Sequence, residues 1–302
     1  MKTEEHYLKI SLYGAAFMAV FGLLMGVLAR SQMLIFDGLY SFAGVLMSMV
    51  MIGVSRFLKK EDPKRFHYGK ASVEPLVLML NYLLLLMIIA MSVWQAALIV
   101  WRGGRLLALE LALLYSVITI VVCFGMHGYL KVRNRTLRSP LIKADIYQWR
   151  LDGWLTVAVL VAFVMAYGFT FFEATQAIAL YIDPIMVIAV SLYFIYLAYA
   201  EFKIQVLQLM GAAPNTKMTR KVETYIQKLN QTHHFDDAIV RFSLNGRLLY
   251  IDIDFIVSEQ ASFDSIHRQD QLRRVLDKEL QAICKTQLWL TVVYTKDRAL
   301  SI

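Results

Sequence analysis

Six long apolar segments dominate this 302-residue chain, and they restrict its fold to a bundle of membrane-spanning helices. A helix needs about 20 residues, at about 1.5 Å of rise each, to cross a hydrocarbon layer about 30 Å thick. Charged residues make up only 18% of the chain, whereas about a quarter of the residues of a soluble domain are charged. The predicted spans lie near residues 10–30, 33–55, 74–101, 106–131, 143–172 and 177–200.

The composition changes after about residue 203, and the rest of the chain is too polar to cross a membrane. Its pattern predicts the order helix, strand, strand, helix, strand, with Asn245-Gly246 as the hairpin turn between the first two strands. This αββαβ order is typical of a small α+β domain of the ferredoxin-like type. We therefore divide the chain into a transmembrane domain, residues 1–210, and a soluble dimerisation or regulatory domain, residues 211–302. The predicted elements of the second domain cover residues 217–229, 238–244, 248–257, 265–283 and 288–295.

The basic residues predict how the spans are oriented. Lys and Arg concentrate in two alternate loops, near residues 56–70 and 131–143. Loops with an excess of positive charge usually remain in the cytoplasm, so both termini are expected there, with the protein in an inner or plasma membrane. We attribute the net charge of +8 to these loops. Because the basic residues are explained by membrane orientation, no nucleic-acid partner is expected. The two cysteines have no spacing typical of a zinc site and imply no disulfide framework.

Two of the apolar segments carry polar side chains at helical spacing. Asp37 and Ser41 lie four residues apart in the second span, and Gln148 and Asp152 lie four apart in the fifth. Each pair therefore projects from one face of its helix. A carboxylate in hydrocarbon is costly unless it is paired or bound to a cation, and such residues usually mark a transport path. Alternatively, the acids form structural hydrogen bonds, the serine bonds to its own helix backbone, and the glutamine joins two helices.

Several stretches together resemble the cation diffusion facilitator family, also called cation efflux proteins. They are the loop PKRFHYGKASVEP, the opening of span five KADIYQWRLDGW, the start of span six YIDPI, and LMGAAPN before the soluble domain. The resemblance covers nearly the whole chain. It implies a homodimer that exports a divalent cation from the cytoplasm in exchange for protons.

The chain departs from the zinc-type pattern of that family at two positions. Ser41 stands where zinc-type members have a second aspartate, and Gln148 stands where they have a histidine. Asp37, Ser41, Gln148 and Asp152 therefore offer only oxygen ligands. Carboxylate, amide and hydroxyl oxygens suit manganese, ferrous iron or magnesium better than zinc.

Further polar residues are weighed as metal positions, two sets of them implied by the resemblance, each with a structural or ordinary surface role as the alternative. Asp145 continues the polar face of span five towards the cytoplasm, where it could receive the ion first or be a solvated residue. Asp183, directly before Pro184, is expected to be structural, for example in an ion pair with Arg150. Two other sets of candidate ligands are Glu61, Asp62 and His67 in the loop after span two, and Asp236, Asp252 and His267 in the soluble domain.

The expected function is therefore secondary active transport of a divalent metal cation by proton antiport. The metal ion is the transported substrate, and no cofactor is expected. The altered positions Ser41 and Gln148 leave an alternative open: a transport-deficient partner subunit or a metal-responsive scaffold of the same family. A passive pore is a third possibility. An enzyme is not expected, because no nucleophile, base and orienting group occur together near the end of a span.

Overall fold

A computed structural model describes residues 2–60, 64–137, 140–172, 175–214, 217–246, 248–258, 265–284 and 287–301. In this part of the chain, six helices are long and apolar enough to cross a membrane, with candidate spans of 23 to 34 residues. The prediction of six membrane helices is confirmed. The helices are α1 Lys2–Leu28, α2 Gln32–Lys59, α3 Val73–Trp101, α4 Leu109–Leu137, α5 Pro140–Phe169 and α6 Gln176–Leu209.

The helices extend beyond the apolar segments that predict them. Helix α6, for example, continues to Leu209 through Glu201 and Lys203, nine residues beyond the end of the predicted span. Backbone hydrogen bonding within a helix does not stop where the side chains become polar, and therefore hydropathy marks the membrane-crossing part of a helix but not its ends.

Helix α6 also contains a proline, and a neighbouring loop compensates for it. Pro184 has no backbone N–H, so it cannot bond to the carbonyl group one turn earlier, at Leu180. The backbone N–H of Arg105, in the α3–α4 connection, donates to that carbonyl oxygen at 3.1 Å. The same connection contains Gly103 and Gly104 with φ values of 95° and 88°, which favour glycine. The loop thus satisfies the backbone group that the proline leaves free.

The described residues form two compact units. The first contains residues 1–53 and 81–200, and the second contains residues 54–80 and 201–302. In the first unit, the largest fully buried side chains include Phe36, Phe163 and Leu130. The division at residue 210 was drawn from composition, whereas these units follow contacts, and consequently α2, α3 and α6 each contribute to both units.

The second unit contains the αββαβ domain that the sequence predicts. Its elements are α7 Lys217–His233, β1 Asp237–Asn245, β2 Leu248–Ile256, α8 Ile266–Cys284 and β3 Gln287–Thr295, followed by a short 3₁₀ turn at Arg298–Leu300. Strand β2 is central, antiparallel to β1 and parallel to β3. Leu249, Ile251, Ile253 and Phe255 alternate along β2 and are 0% exposed, so one face of the sheet forms the core with α7 and α8.

The turn between β1 and β2 contacts the α2–α3 connection within the same unit. Asn245 Nδ2 donates to Ser72 Oγ at 2.9 Å. A Cβ atom at Gly246, whose φ is 58°, would lie 2.8 Å from the Ala71 carbonyl oxygen. The Tyr250 hydroxyl donates to the Tyr68 carbonyl oxygen at 3.0 Å. Glycine at position 246 therefore permits both the turn and the close approach of residues 68–72.

Candidate metal-ion site

Two partly buried carboxylates from different helices lie within electrostatic range of each other. Asp37 belongs to the second turn of α2, and Asp152 lies in the first half of α5. The two carboxylates interact electrostatically with each other. Both also act on the Tyr40 phenol and on the buried Cys123 thiol of α4. The structure thus brings the two acids into one neighbourhood, enclosed by α2, α4 and α5.

Helix α4 contributes a residue that the sequence pattern did not identify. The Tyr115 hydroxyl donates a hydrogen bond to Asp37 Oδ2 at 2.6 Å. Tyr115 is 2% exposed, and its ring packs against Phe21 of α1 with 5.4 Å between ring centroids. Tyr115, Thr119 and Cys123 follow one another at four-residue spacing, and they therefore share one face of α4. This stripe of polar side chains in an apolar helix is the sequence signal that could have identified them.

The two neutral members of the predicted site differ in their surroundings. Ser41 is partly buried, one helical turn after Asp37, whereas Gln148 is exposed on α5, one turn before Asp152. Among the described residues, no group of three or more His, Cys, Asp and Glu side chains is placed to hold a metal ion. Two carboxylates are the charged side chains of this neighbourhood, and hydroxyl, amide or water oxygens would have to complete the coordination of any ion held there.

Each acid is followed by a glycine that lets a neighbouring helix approach closely. A Cβ atom at Gly38 would lie 2.6 Å from the backbone nitrogen of Leu23 in α1. A Cβ atom at Gly153 would lie 3.3 Å from the Cβ of Cys123 in α4. Small residues allow this kind of close packing between membrane helices. The backbones that carry Asp37 and Asp152 are thus packed tightly against α1 and α4.

Comparison with protein families assigns this helical domain. The family model described as the cation efflux transmembrane domain matches residues 8–210, about two thirds of the chain. This chain belongs to the cation efflux family. The family consists of transporters, so the general activity of the chain is transport of a metal cation across a membrane. The match includes Asp37 and Asp152 and ends before α7. A search among curated proteins finds no match to the chain.

Asp145 of this cation efflux protein lies two turns before Asp152 and joins α5 to α1. Its carboxylate is hydrogen-bonded by the Ser11 hydroxyl of α1. The indole Nε1 of Trp149 donates to the same hydroxyl at 2.9 Å. Asp145 is partly buried, not fully solvated. These contacts give it a structural role in addition to the predicted role of first receiving the ion, which stays a prediction.

Asp183 is structural, as expected, but its partners differ from those proposed from the sequence. Its Oδ1 accepts a hydrogen bond from the Ser31 hydroxyl at 2.6 Å, and its Oδ2 accepts one from the Gln32 backbone N–H at 2.8 Å. The Met33 N–H also donates to Oδ1, at 3.2 Å. The carboxylate of α6 therefore caps the first turn of α2, instead of pairing with Arg150, which lies over the Tyr147 ring.

The outlying candidate ligands are dispersed. Glu61 and Asp62 lie outside the described residues, and His67 is exposed on the α2–α3 connection. His267 is exposed and contacts Gln271 on the same helix, with 2.9 Å between the ring Nε2 and the amide nitrogen. Asp236 is exposed at the start of the sheet. A metal site at either place remains a prediction of the family resemblance.

Asp252 belongs to a polar sheet face that Arg241 occupies. Arg241 pairs with Asp252 across the β1–β2 ladder, and its guanidinium forms an ion pair with Asp254 at 2.9 Å. The same guanidinium donates to the Ser301 carbonyl oxygen. These contacts favour the interpretation of this face as an ordinary polar surface.

Proposed function

We propose that this protein exports a divalent metal cation from the cytoplasm in exchange for protons, with Asp37 and Asp152 as the charged ligands. The observation that carries the proposal is that these two carboxylates, on separate apolar helices, lie close enough to interact electrostatically. Two like charges at one place in hydrocarbon repel each other, and a doubly charged cation removes both the repulsion and the cost of burial.

Proton exchange follows from the same two groups. A carboxylate must be deprotonated to bind a metal ion, and protonation therefore opposes metal binding at the same oxygen atoms. A site that opens alternately to the two sides would release its ion where protons are more abundant. Asp37 and Asp152 are thus expected to carry either one divalent cation or protons.

The ligand types favour hard cations. Ser41 and Gln148 lie one helical turn from the two acids and add hydroxyl and amide oxygens. Zinc is usually held in proteins by imidazole nitrogen and thiolate sulfur, whereas manganese, ferrous iron and magnesium suit oxygen ligands. We therefore propose a manganese-, iron- or magnesium-type substrate in preference to zinc.

The orientation and assembly proposed for the protein rest on its loops and its soluble domain. The basic loops support cytoplasmic N- and C-termini in an inner or plasma membrane. We propose a homodimer formed through the αββαβ domain. Val293, 43% exposed on the edge strand β3, offers an apolar side chain on the sheet face opposite α7 and α8. This exposed side chain at the β3 edge of that face supports contact with a second copy of the chain.

Transport by purified protein in liposomes tests the proposal. Manganese, ferrous iron, cobalt, magnesium and zinc are supplied in turn, with and without an imposed pH gradient. We expect Asp37→Asn and Asp152→Asn each to lower transport by at least about 100-fold, equivalent to about 2.7 kcal/mol of transition-state stabilisation. Glu110→Gln, which neutralises an exposed acid at the start of α4, is the matched control and should transport normally. Zinc preference would contradict the ligand argument, and insensitivity to the pH gradient would contradict proton exchange.

The exposed position of Gln148 favours one other candidate, a transport-deficient partner subunit or scaffold. Growth of a metal-sensitive host separates the possibilities. An exporter raises metal tolerance and a passive pore lowers it. A partner subunit leaves metal tolerance unchanged when it is expressed alone.

A further inference from the structure

The hydrogen bond between Tyr115 and Asp37 points to a device for ion selection. We propose that Tyr115 is a positioning residue that restricts Asp37 to binding the ion through one oxygen, and thereby favours small octahedral cations over larger ones such as Ca²⁺. This inference rests on the proposed function, because it assumes that Asp37 is a ligand of the transported ion.

The geometry of the hydrogen bond supports a fixed arrangement. The distance of 2.6 Å from the Tyr115 hydroxyl to Asp37 Oδ2 is typical of an O–H donor on an ionised carboxylate. A phenol has one proton to donate, and here the proton is directed at Oδ2. The other oxygen, Oδ1, remains available to an ion.

The surroundings of the phenol keep it in place. The Tyr115 ring is buried and packs against Phe21. Helix α1 closes around the hydroxyl at Gly22, where an added Cβ atom would lie only 2.9 Å from the phenol oxygen. The hydroxyl therefore has little room to turn away from Asp37. Because this hydroxyl holds Asp37, the carboxylate presents Oδ1 to the ion in each transport cycle.

Small and large cations differ in how many oxygens of one carboxylate they bind. Mg²⁺ requires a near-ideal octahedron of oxygens at about 2.0–2.1 Å. Ca²⁺ accepts about six to eight oxygens at about 2.3–2.6 Å and often binds both oxygens of one carboxylate. Binding through both oxygens of Asp37 would take Oδ2 away from Tyr115. The buried phenol would then lose its carboxylate acceptor, so the larger cation is disfavoured.

Tyr115→Phe tests the inference, because it keeps the ring and removes the hydroxyl. In liposomes, we expect the ratio of KM for Ca²⁺ to KM for Mn²⁺ to fall by about tenfold, equivalent to about 1.4 kcal/mol. Tyr13→Phe removes a hydroxyl from a side chain that is 70% exposed on α1 and should keep the wild-type ratio. A wild-type ratio in Tyr115→Phe would overturn the inference.

Infrared spectroscopy of the wild-type protein provides a second measurement that does not depend on the folding of the Tyr115 variant. Spectra are recorded with and without Mn²⁺, and the Asp37 bands are those missing from Asp37→Asn. We expect the wide separation of antisymmetric and symmetric carboxylate stretches that one-oxygen binding produces. A narrow separation, typical of two-oxygen binding, would overturn the inference.

The two proposals fail in different ways. If the wild-type protein transports none of the ions and Asp37→Asn binds Mn²⁺ as tightly as the wild type does, Asp37 is not a ligand and both proposals fail. If Asp37 and Asp152 are required for transport but Tyr115→Phe keeps the wild-type selectivity and one-oxygen spectrum, only the role of Tyr115 is wrong.

Discussion

The acids Asp37 and Asp183 both lie in apolar helices, but they differ in how far their oxygens are occupied. An ionised carboxylate has about four lone-pair positions. Asp183 accepts three hydrogen bonds from the first turn of α2, and Asp37 accepts one described hydrogen bond, from Tyr115. Asp183 is thus largely satisfied by the protein itself, whereas Asp37 still has oxygen positions for an ion. The number of hydrogen-bond partners therefore separates the structural acid from the proposed ligand.

Replacing Asp183 should weaken the fold without changing ion selection. In Asp183→Ala, the buried Ser31 hydroxyl and the Gln32 and Met33 N–H groups lose their acceptor, and we expect the free energy of unfolding to fall by about 2–4 kcal/mol. Thermal unfolding of the detergent-solubilised protein, followed by circular dichroism, measures the loss. Asp183→Asn keeps one acceptor oxygen and should lose less. Wild-type stability combined with altered metal preference in Asp183→Ala would place this acid in the transport site instead.

The sequence identifies the acids of the site more readily than their partners. Asp37 and Asp152 stand out because ionisable residues are rare in apolar segments. Tyr115 is marked only by its four-residue spacing to Thr119 and Cys123, which does not reveal its partner, because Asp37 is 78 residues away in the chain. The sequence also does not reveal that Gln148 is exposed, since spacing alone puts this residue on the same helical face as Asp152. Local patterns thus locate charges, and only the packing of helices locates the donors that orient them.

At the scale of the helices, contacts between glycine and a neighbouring backbone fix the distance between α1 and α2. Gly22 and Gly26 of α1 lie one turn apart, and they face Gly38 and Ile35 of α2. Cβ atoms at Gly26 and Gly38 would come within 2.7 Å and 2.6 Å of backbone nitrogens of the opposite helix. Asp37 directly precedes Gly38. The position of this acid therefore depends on two helices remaining close together.

Gly38→Ala should separate these helices, whereas Gly44→Ala on the same helix should not. The added methyl group at Gly38 would overlap the backbone of Leu23, and we expect a loss of about 1–3 kcal/mol of stability together with a large loss of transport. A methyl group added at Gly44 would have nothing within 4 Å, so the alanine variant at that position is the matched control. Thermal unfolding and liposome transport measure both effects. Equal behaviour of the two variants would show that close packing at Gly38 does not matter.

The sequence predicts the identity of the helices and strands better than their ends. Strands β1, β2 and β3 begin and end within one residue of their predicted bounds, because alternating apolar residues and the Asn245-Gly246 turn define them. Helices α1 and α6 extend well beyond the predicted spans, since polar residues continue a helix that has already formed. The hydrogen bond from the Arg105 N–H that compensates for Pro184 cannot be predicted from the local sequence, because the donor lies in a loop distant along the chain.

At the scale of the whole molecule, the C-terminal αββαβ domain shares a compact unit with the α2–α3 connection. Tyr250 and Asn245 bond to residues 182 and 173 positions earlier in the chain. Trp289 of β3 packs near the Tyr68 and Tyr250 rings, with centroid distances of 6.4 Å and 6.2 Å. Composition predicts the polar domain but not this grouping, because contacts across such long sequence separations leave no local pattern.

Trp289→Ala should loosen the α2–α3 connection. Loss of the aromatic contacts is expected to cost about 1 kcal/mol, or about a fivefold increase in the population of the open connection. Trypsin cleavage after the exposed residues Lys64 and Arg65 should accelerate by the same factor. Val293→Ala, on the same strand and with the same 43% exposure, is the control and should be cleaved at the wild-type rate. Unchanged cleavage in Trp289→Ala would show that the rings do not hold the connection.

The attachment of α2 to α6 through Asp183 restricts how the proposed site can open to the two sides of the membrane. Asp37 lies five residues, or about 7.5 Å, beyond the capped start of α2, so we expect this end of the helix to act as a pivot and Asp37 to move little. We expect α5 to swing past a fixed α2 as the protein alternates, so that Asp152 approaches and leaves Asp37 while Asp37 stays in place.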